Sequence, residues 1–457
     1  MKKILFRVLA ALVLLPVSLL VVGGLGYGGY AWVVLRRSDA ACVAYLRTHQ
    51  RVAPLDSANR ATAFPDFDAD FYDNQLFLLG ESHGSAAPQE LDFALLRHLN
   101  QKTGLRNYVA EIDPSQAYFF NRYLAAGDEA DLRAVFSAWD GEAQWGNQNF
   151  YDKVRRIRAL NQTLPPAARI RFIGLDRFQN LGLVGQHLRA LLAQEAYVAG
   201  TSTVLDTLLR RLSAAPPTER ALGRLAHRLL PTLAADSLAG VSRAGRAQVA
   251  QLLRNASYLA APRIRRDSVM LLNLRSAYES LAPGHEKMYG LWGFYHTLQA
   301  AVDKQQPFAG LVRASSLPFH ERVVSLAIFS ADSKVMMPTS GIPAAVRPPT
   351  GRTVAVGWLN SAGPVVLVPG ASDLLAAAPA QAAATLFRLD APDSPYRRSL
   401  RLVNIRVPLL GQSMTATQAN AATTDYFQYA VLLRNSAAVA ELATPPPAPA
   451  PRAQQPE

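Results

Sequence analysis

One cysteine, Cys42, is present in 457 residues. No intrachain disulfide is available, and zinc sites built on thiolates are excluded. Nor is Cys42 a lipid-attachment site, because Asp39-Ala40-Ala41 before it lacks the aliphatic residue such a site needs. The sequence has no Gly-rich loop followed by Lys-Ser/Thr, which excludes P-loop phosphate binding. It has no Gly-x-Ser-x-Gly elbow, which excludes a serine hydrolase of that design. No internal repeat stands out. Acidic residues are in the minority, 34 against 47 Lys and Arg, giving a formal charge of +13. That balance suits an anionic surface. The arginines, however, are spread along helical stretches such as Val154-Arg155-Arg156-Ile157-Arg158, without a nucleic-acid-binding signature. Nucleic acid is therefore not an expected partner.

Long apolar runs are confined to the amino terminus. Lys2, Lys3 and Arg7 precede a run from Val8 to about Leu35. A stretch of that length predicts a transmembrane helix rather than a cleaved signal. Residues 1–37 are expected to form a single-pass membrane anchor, with the main domain extracytoplasmic, or periplasmic in a bacterium. Residues 38–70 read as a linker with a first helix, and residues 71–443 as an α/β domain. Within it, residues 183–261 carry leucines at helical spacing, which predicts three or four helices inserted as a cap. The Pro- and Ala-rich residues 444–457 are expected to be disordered.

The α/β domain opens on Leu76-Phe77-Leu78-Leu79, a short buried strand, and then Gly80-Glu81-Ser82-His83-Gly84. Residues two apart in an extended chain point to one side, so Glu81 and His83 project together. They stand at the carboxyl end of a strand, where open α/β sheets place their ligands. A second strand, Asn107-Tyr108-Val109-Ala110, ends in Glu111 and Asp113, and the intervening leucines predict a helix. A right-handed crossover brings Glu111 and Asp113 to face Glu81 and His83. A third strand runs into Asp176. Arg266 and Asn273 are seven apart and share a helix face with Met270. Lys287–Gly293 reads as a strand before Tyr295 and His296. Strand-like pieces follow at Val323–Phe329, Val354–Trp358, Pro364–Val368, Arg401–Val407 and Tyr426–Leu433, with a helix at Leu374–Ala384. The expected class is α/β, a mixed central sheet flanked by helices.

In order, Gly-Glu-x-His, a glutamate closing the next strand, Arg-Asp-x-x-Met and Gly-x-x-His resemble the erythromycin esterase-like superfamily. That group also takes in Tiki/TraB-type metalloproteases and haem-binding iron-uptake proteins. The resemblance runs from Phe71 to about Leu433. It implies a hydrolase for an ester or amide bond in a small molecule or peptide. His83 would activate water, Glu81 and Glu111 would flank it, and Arg266 and His296 would complete the catalytic set. Asp113, Asp176 and Tyr295 would contact substrate. A metal-assisted variant would place a divalent metal between Glu81, His83, Glu111 and His296. The alternatives are a haem or metal carrier without turnover, using Tyr295, His296 or Tyr108 on iron, and a non-catalytic member. Two departures from the esterase pattern stand out. Only Ser82 separates Glu81 from His83, and Gly293 stands where esterases carry a further histidine.

Overall fold

A computed structural model describes residues 37–443 apart from 56–63, 140–143, 196, 214–218, 234–240, 262, 282–285, 343–346, 349–350, 364 and 408–411; it also describes 23, 24, 26, 29 and 33. Among the described residues no helix is long and apolar enough to cross a membrane. The expected N-terminal transmembrane helix is corrected accordingly. The apolar run lies almost wholly outside the described residues, and the helix that follows it, Ala40–Thr48, has nine residues, where a bilayer needs about 20. The Pro/Ala tail at 444–457 also lies outside the described residues.

The strands, in chain order, are β1 (Gln50–Ala53), β2 (Leu76–Glu81), β3 (Asn107–Ala110), β4 (Arg171–Gly174), β5 (Met288–Gly293), β6 (Val323–Ala331), β7 (Val335–Pro338), β8 (Thr353–Val356), β9 (Ala384–Arg388), β10 (Ile405–Val407), β11 (Gln412–Met414) and β12 (Tyr429–Arg434). Eight of them form one mixed sheet in the order β1-β9-β12-β6-β2-β5-β3-β4. From β12 to β4 every pairing is parallel, while β9 is antiparallel to both β12 and β1. The parallel strands read as continuous apolar runs because helices cover both faces. Phe77 and Leu79 of β2 pack with Leu95, Leu99 and Ile157 on one face. Leu76 and Leu78 pack with Met270, Leu274 and Phe308 on the other.

Residues 38–70 supply the Ala40–Thr48 helix and edge strand β1, so the sheet takes in chain ahead of Phe71. Cys42 is buried against Leu46, Phe387 and Tyr396, and burial pushes its thiol up to about 11. Among the described residues the cap has four helices, Leu181–Gln194, Thr203–Ser213, Glu219–Thr232 and Arg243–Tyr258. It has its own core, including Leu188, Leu205, Leu222 and Leu253. Asn255 ties it to the loop after β4, donating to the Asp176 carbonyl at 3.0 Å and accepting from the Phe178 amide at 3.1 Å.

Two late elements differ from expectation, the Leu374–Ala384 helix and the Pro364–Val368 strand. The helix expected at Leu374–Ala384 covers Ala371–Ala377, and Ala384 opens β9. Alanine's helix propensity gives way there to cross-strand pairing with Leu433 and Ala53. Val354 belongs to β8, which pairs with β7 in a hairpin outside the main sheet. The described part of Pro364–Val368 makes only an isolated bridge, Leu367 to Arg406.

Candidate active site

β5 lies between β2 and β3. Glu81 is paired in register with Gly293. The direct facing of Glu81 and Glu111 across neighbouring strands is thereby corrected: one strand separates them, and Gly293 is the bridge. Its amide donates to Glu111 Oε2 at 2.7 Å. A Cβ built on Gly293 would stand 3.2 Å from His83 Nε2, 3.4 Å from His296 Cδ2 and 3.5 Å from Glu111 Oε2. A Cβ would therefore press on His83 Nε2 and meet the other two groups at ordinary contact distance, so the missing side chain leaves space beside His83.

His83 follows β2 by two residues. Its Nδ1 donates to Glu81 Oε1 at 3.1 Å. One intervening residue is therefore enough to join the pair. Glu81 is 4% exposed, and burial pushes its carboxyl up. On the opposite side, His83 Nε2 lies 3.9 Å from Glu111 Oε2. The His83 side chain keeps 21% exposure, so this nitrogen is open. Burial acts to lower the His83 pKa. The hydrogen bond and charge of Glu81, with the charge of Glu111, outweigh it and hold the imidazole above its ordinary value. The Trp145 ring covers His83 at a centroid distance of 4.6 Å.

His296 stands on the 3-10 turn Phe294–Thr297 that follows β5. Its Nδ1 is 2.7 Å from Asp267 Oδ1, and its Nε2 is 3.2 Å from Glu111 Oε1 and 3.3 Å from Arg266 Nη1. Arg266 and Asp267 open the helix Arg266–Ser280. The Arg266 guanidinium grips Asp176 through Nε at 3.0 Å and Nη2 at 2.6 Å, and reaches Glu111 at 3.4 Å. One turn and more along the same face, Asn273 donates to the Leu175 carbonyl at 2.8 Å, so the helix is fixed to the β4 loop twice. Arg266, expected in the catalytic set, neutralises two carboxylates of the protein.

Of the residues expected at the site, Glu81, His83, Glu111, Asp176, Arg266 and His296 come together. Asp113 does not join them. It caps the helix Pro114–Ala126, accepting from the amides of Ser115, Gln116 and Gln179, and burial pushes its carboxyl up to about 6. Tyr295 turns its hydroxyl to Arg265 at 3.2 Å and touches the cluster only by its ring, edge-on to His296. Neither residue joins the cluster through these contacts.

The metal expectation finds no support among the described residues. Among the described residues no group of three or more His, Cys, Asp or Glu is arranged to hold a metal ion. The guanidinium of Arg266 already serves Glu111 as its counter-charge and lies 3.3 Å from His296 Nε2. Haem fits no better. Both nitrogens of His296 are engaged, the Tyr295 hydroxyl meets Arg265, and the Tyr108 hydroxyl donates to Asp92 at 2.7 Å.

Several contributors escaped the sequence reading. Asp267 was in view as part of Arg-Asp, but nothing in the spacing aimed it at a histidine 29 residues on. A small cavity beside His83 is lined by Glu81, Gln89, Tyr108, Glu111, Trp145 and Lys153. Lys153 is 3% exposed and bonds Asp92, itself 0% exposed, at 2.6 Å. A polar residue on the apolar stripe of each helix was the available signal for that pair. Trp145 left no signal at all.

No protein-family model matches the sequence. No curated protein matches it either. Solved structures do. A succinoglycan biosynthesis protein superposes with TM-score 0.60 at 12% identity, over 88% of this chain and 98% of that one. A Bacillus cereus protein gives 0.59 at 14%, with the same coverage of 88% and 98%. A mutant of the erythromycin esterase EreC in its open conformation gives 0.55 at 13%, over 80% of this chain and 92% of that one. The chain has the erythromycin esterase-like fold. At such identities the likeness is one of fold, and it agrees with the order of motifs along the sequence. The erythromycin esterase-like fold here carries its histidine–carboxylate cluster at the carboxyl ends of β2, β5, β3 and β4, where a parallel sheet presents ligands.

Proposed function

We propose that this chain is a hydrolase of ester or amide bonds in a small molecule or peptide, with His83 as the general base for a water nucleophile. The observation that carries this reading is the two-sided setting of His83. Its Nδ1 is held by buried Glu81 at 3.1 Å, and its open Nε2 lies 3.9 Å from Glu111. A carboxylate on Nδ1 fixes the tautomer that leaves the Nε2 lone pair free, and stabilises the imidazolium that forms. A water lodged between Nε2 and Glu111 would give one proton to His83 while attacking the carbonyl carbon, and the imidazolium would return that proton to the leaving alkoxide or amine as the C–O or C–N bond breaks. Glu111 stays in place because the Gly293 amide and Arg266 hold it.

The test is hydrolysis of a panel of activated esters and anilides by the native protein and by His83→Gln. General-base catalysis contributes about 10²–10⁴-fold, and a loss of that size in a folded variant supports the reading. Equal turnover by the two proteins would sink it.

A further inference from the structure

The loop that carries His83 is not held by the sheet alone. Gly84 has φ +102, and a Cβ there would stand 2.6 Å from the Met336 carbonyl, so only glycine lets the chain lie so close to β7. The Gly84 carbonyl accepts two amides, Met336 at 2.9 Å and Val439 at 3.0 Å. Val439 belongs to the extended segment 436–443 that follows β12. The same segment takes the Ala86 amide on the Ala437 carbonyl at 2.9 Å and the Ala87 amide on Ser436 Oγ at 2.9 Å. Ala438 bridges Ser85.

Its next residues turn to a different part of the site. The Ala440 carbonyl accepts from the Gln148 amide at 2.9 Å, and the Ala440 amide donates to Asn149 Oδ1 at 2.9 Å. Glu441 bridges Asn147, and the Ala443 amide reaches Gln148 Oε1 at 3.2 Å. Asn147 in turn donates its amide to the Trp145 carbonyl at 3.0 Å and caps the helix that carries Lys153. Val439 itself is 2% exposed and packs on Met336, so the segment is anchored as well as bonded.

We propose that residues 436–443 form a positioning strap, laid between the His83 loop and the Trp145 turn, that sets the separation of the general base from the aromatic wall of the substrate cleft. The proposal rests on the hydrolase reading for its kinetic consequence, but not for its structural one. Backbone amides on one extended segment serve both loops within five residues, Ala437 to Glu441. Moving the strap therefore disturbs both sides of the cleft and the distance between them. Val439 is the hinge of this arrangement, being the last residue bonded to the His83 loop.

Val439→Pro removes the amide that serves Gly84, and Val439→Ala keeps it. In the full chain, amide hydrogen exchange is expected to rise both at 84–87 and at 145–149 in Val439→Pro, and to stay near native in Val439→Ala. On an ester that the native protein turns over, misplacement of the base across the cleft is expected to cost Val439→Pro on the order of 10²-fold in kcat. KM should move as the Trp145 wall shifts. A strap that only stabilised the fold would lower the melting temperature and leave kcat and KM of the folded fraction unchanged; that result overturns the proposal. Exchange rising at 84–87 alone overturns it as well. Should Val439→Pro fail to fold, Asn149→Ala cuts only the bond from Ala440, and faster exchange spreading from 145–149 to 84–87 is the supporting result, confinement to 145–149 the contrary one. Exchange needs no turnover, so a protein with no hydrolase activity still tests the strap.

Discussion

His83 and His296 are nearly mirror images, yet in the proposed reaction one reacts and the other holds. Each has a carboxylate on Nδ1, Glu81 at 3.1 Å and Asp267 at 2.7 Å. Each turns Nε2 toward Glu111. The difference lies in what else meets that nitrogen. His296 Nε2 has Glu111 at 3.2 Å and Arg266 at 3.3 Å, while His83 Nε2 has Glu111 at 3.9 Å and open space beside Gly293. A histidine with both nitrogens taken orients its neighbours; one with a free lone pair can accept a proton from water. Gly293 and Arg266 create the asymmetry, the first by having no side chain and the second by filling the space beside His296.

The sharpest way to break the comparison is to remove each ring in turn. His83→Gln should reduce turnover by about 10²–10⁴-fold. His296→Gln, which keeps an amide able to bridge Asp267 and Glu111, should cost roughly tenfold, or ~1.4 kcal/mol in the barrier. Steady-state kinetics on one ester decides it. Equal losses would mean that the two histidines act as one unit and that the asymmetry has no chemical consequence.

Gly293→Ala probes the space rather than the rings. The backbone there, at φ −55 and ψ 134, accepts alanine without strain. Stability should change by no more than about 1 kcal/mol, since removing glycine also restricts the unfolded chain. The added methyl, 3.2 Å from His83 Nε2, occupies the place of the reacting water. A displacement of that kind should cost on the order of 10²-fold in turnover. An unchanged rate would show that substrate and water approach His83 from the Trp145 side instead.

How much of this was legible in the sequence depends on distance along the chain. The strand-and-acid pattern gave β2, β3 and β4, and the leucine spacing gave the cap, because each signal lies within one element. The pairing of Glu81 with His83 is equally local. What the sequence could not show is the insertion of β5 between β2 and β3. Strand order is decided by tertiary packing, and with it the placement of Gly293 between two carboxylates and two imidazoles. The same limit hid Lys153, whose partner Asp92 is 61 residues away. The Ala384 strand was hidden for a different reason: alanine-rich composition favours a helix until a neighbouring strand supplies hydrogen bonds.

The smallest effect is the most specific to the His83 side, and it is read as a pH shift. With its folded pKa held above the ordinary imidazole value of ~6.5, His83 should be protonated and inactive near neutrality in a larger fraction of molecules than a free imidazole. The acid limb of kcat/KM is thus expected above pH ~6.5. By the same linkage, protonated His83 stabilises the fold fully below about pH 6.5, and that contribution is lost as pH rises through the raised value. Glu81→Gln removes the charge and weakens the hydrogen bond that together raise the pKa, while burial, which lowers it, remains. The acid limb should then move toward lower pH, even though the maximal rate falls because the tautomer is less firmly set. The equivalent change at the other ring, Asp267→Asn, should leave the position of the limb unmoved, since His296 is not the group whose deprotonation is being read. A limb that follows Asp267 and ignores Glu81 would reverse the roles of the two histidines.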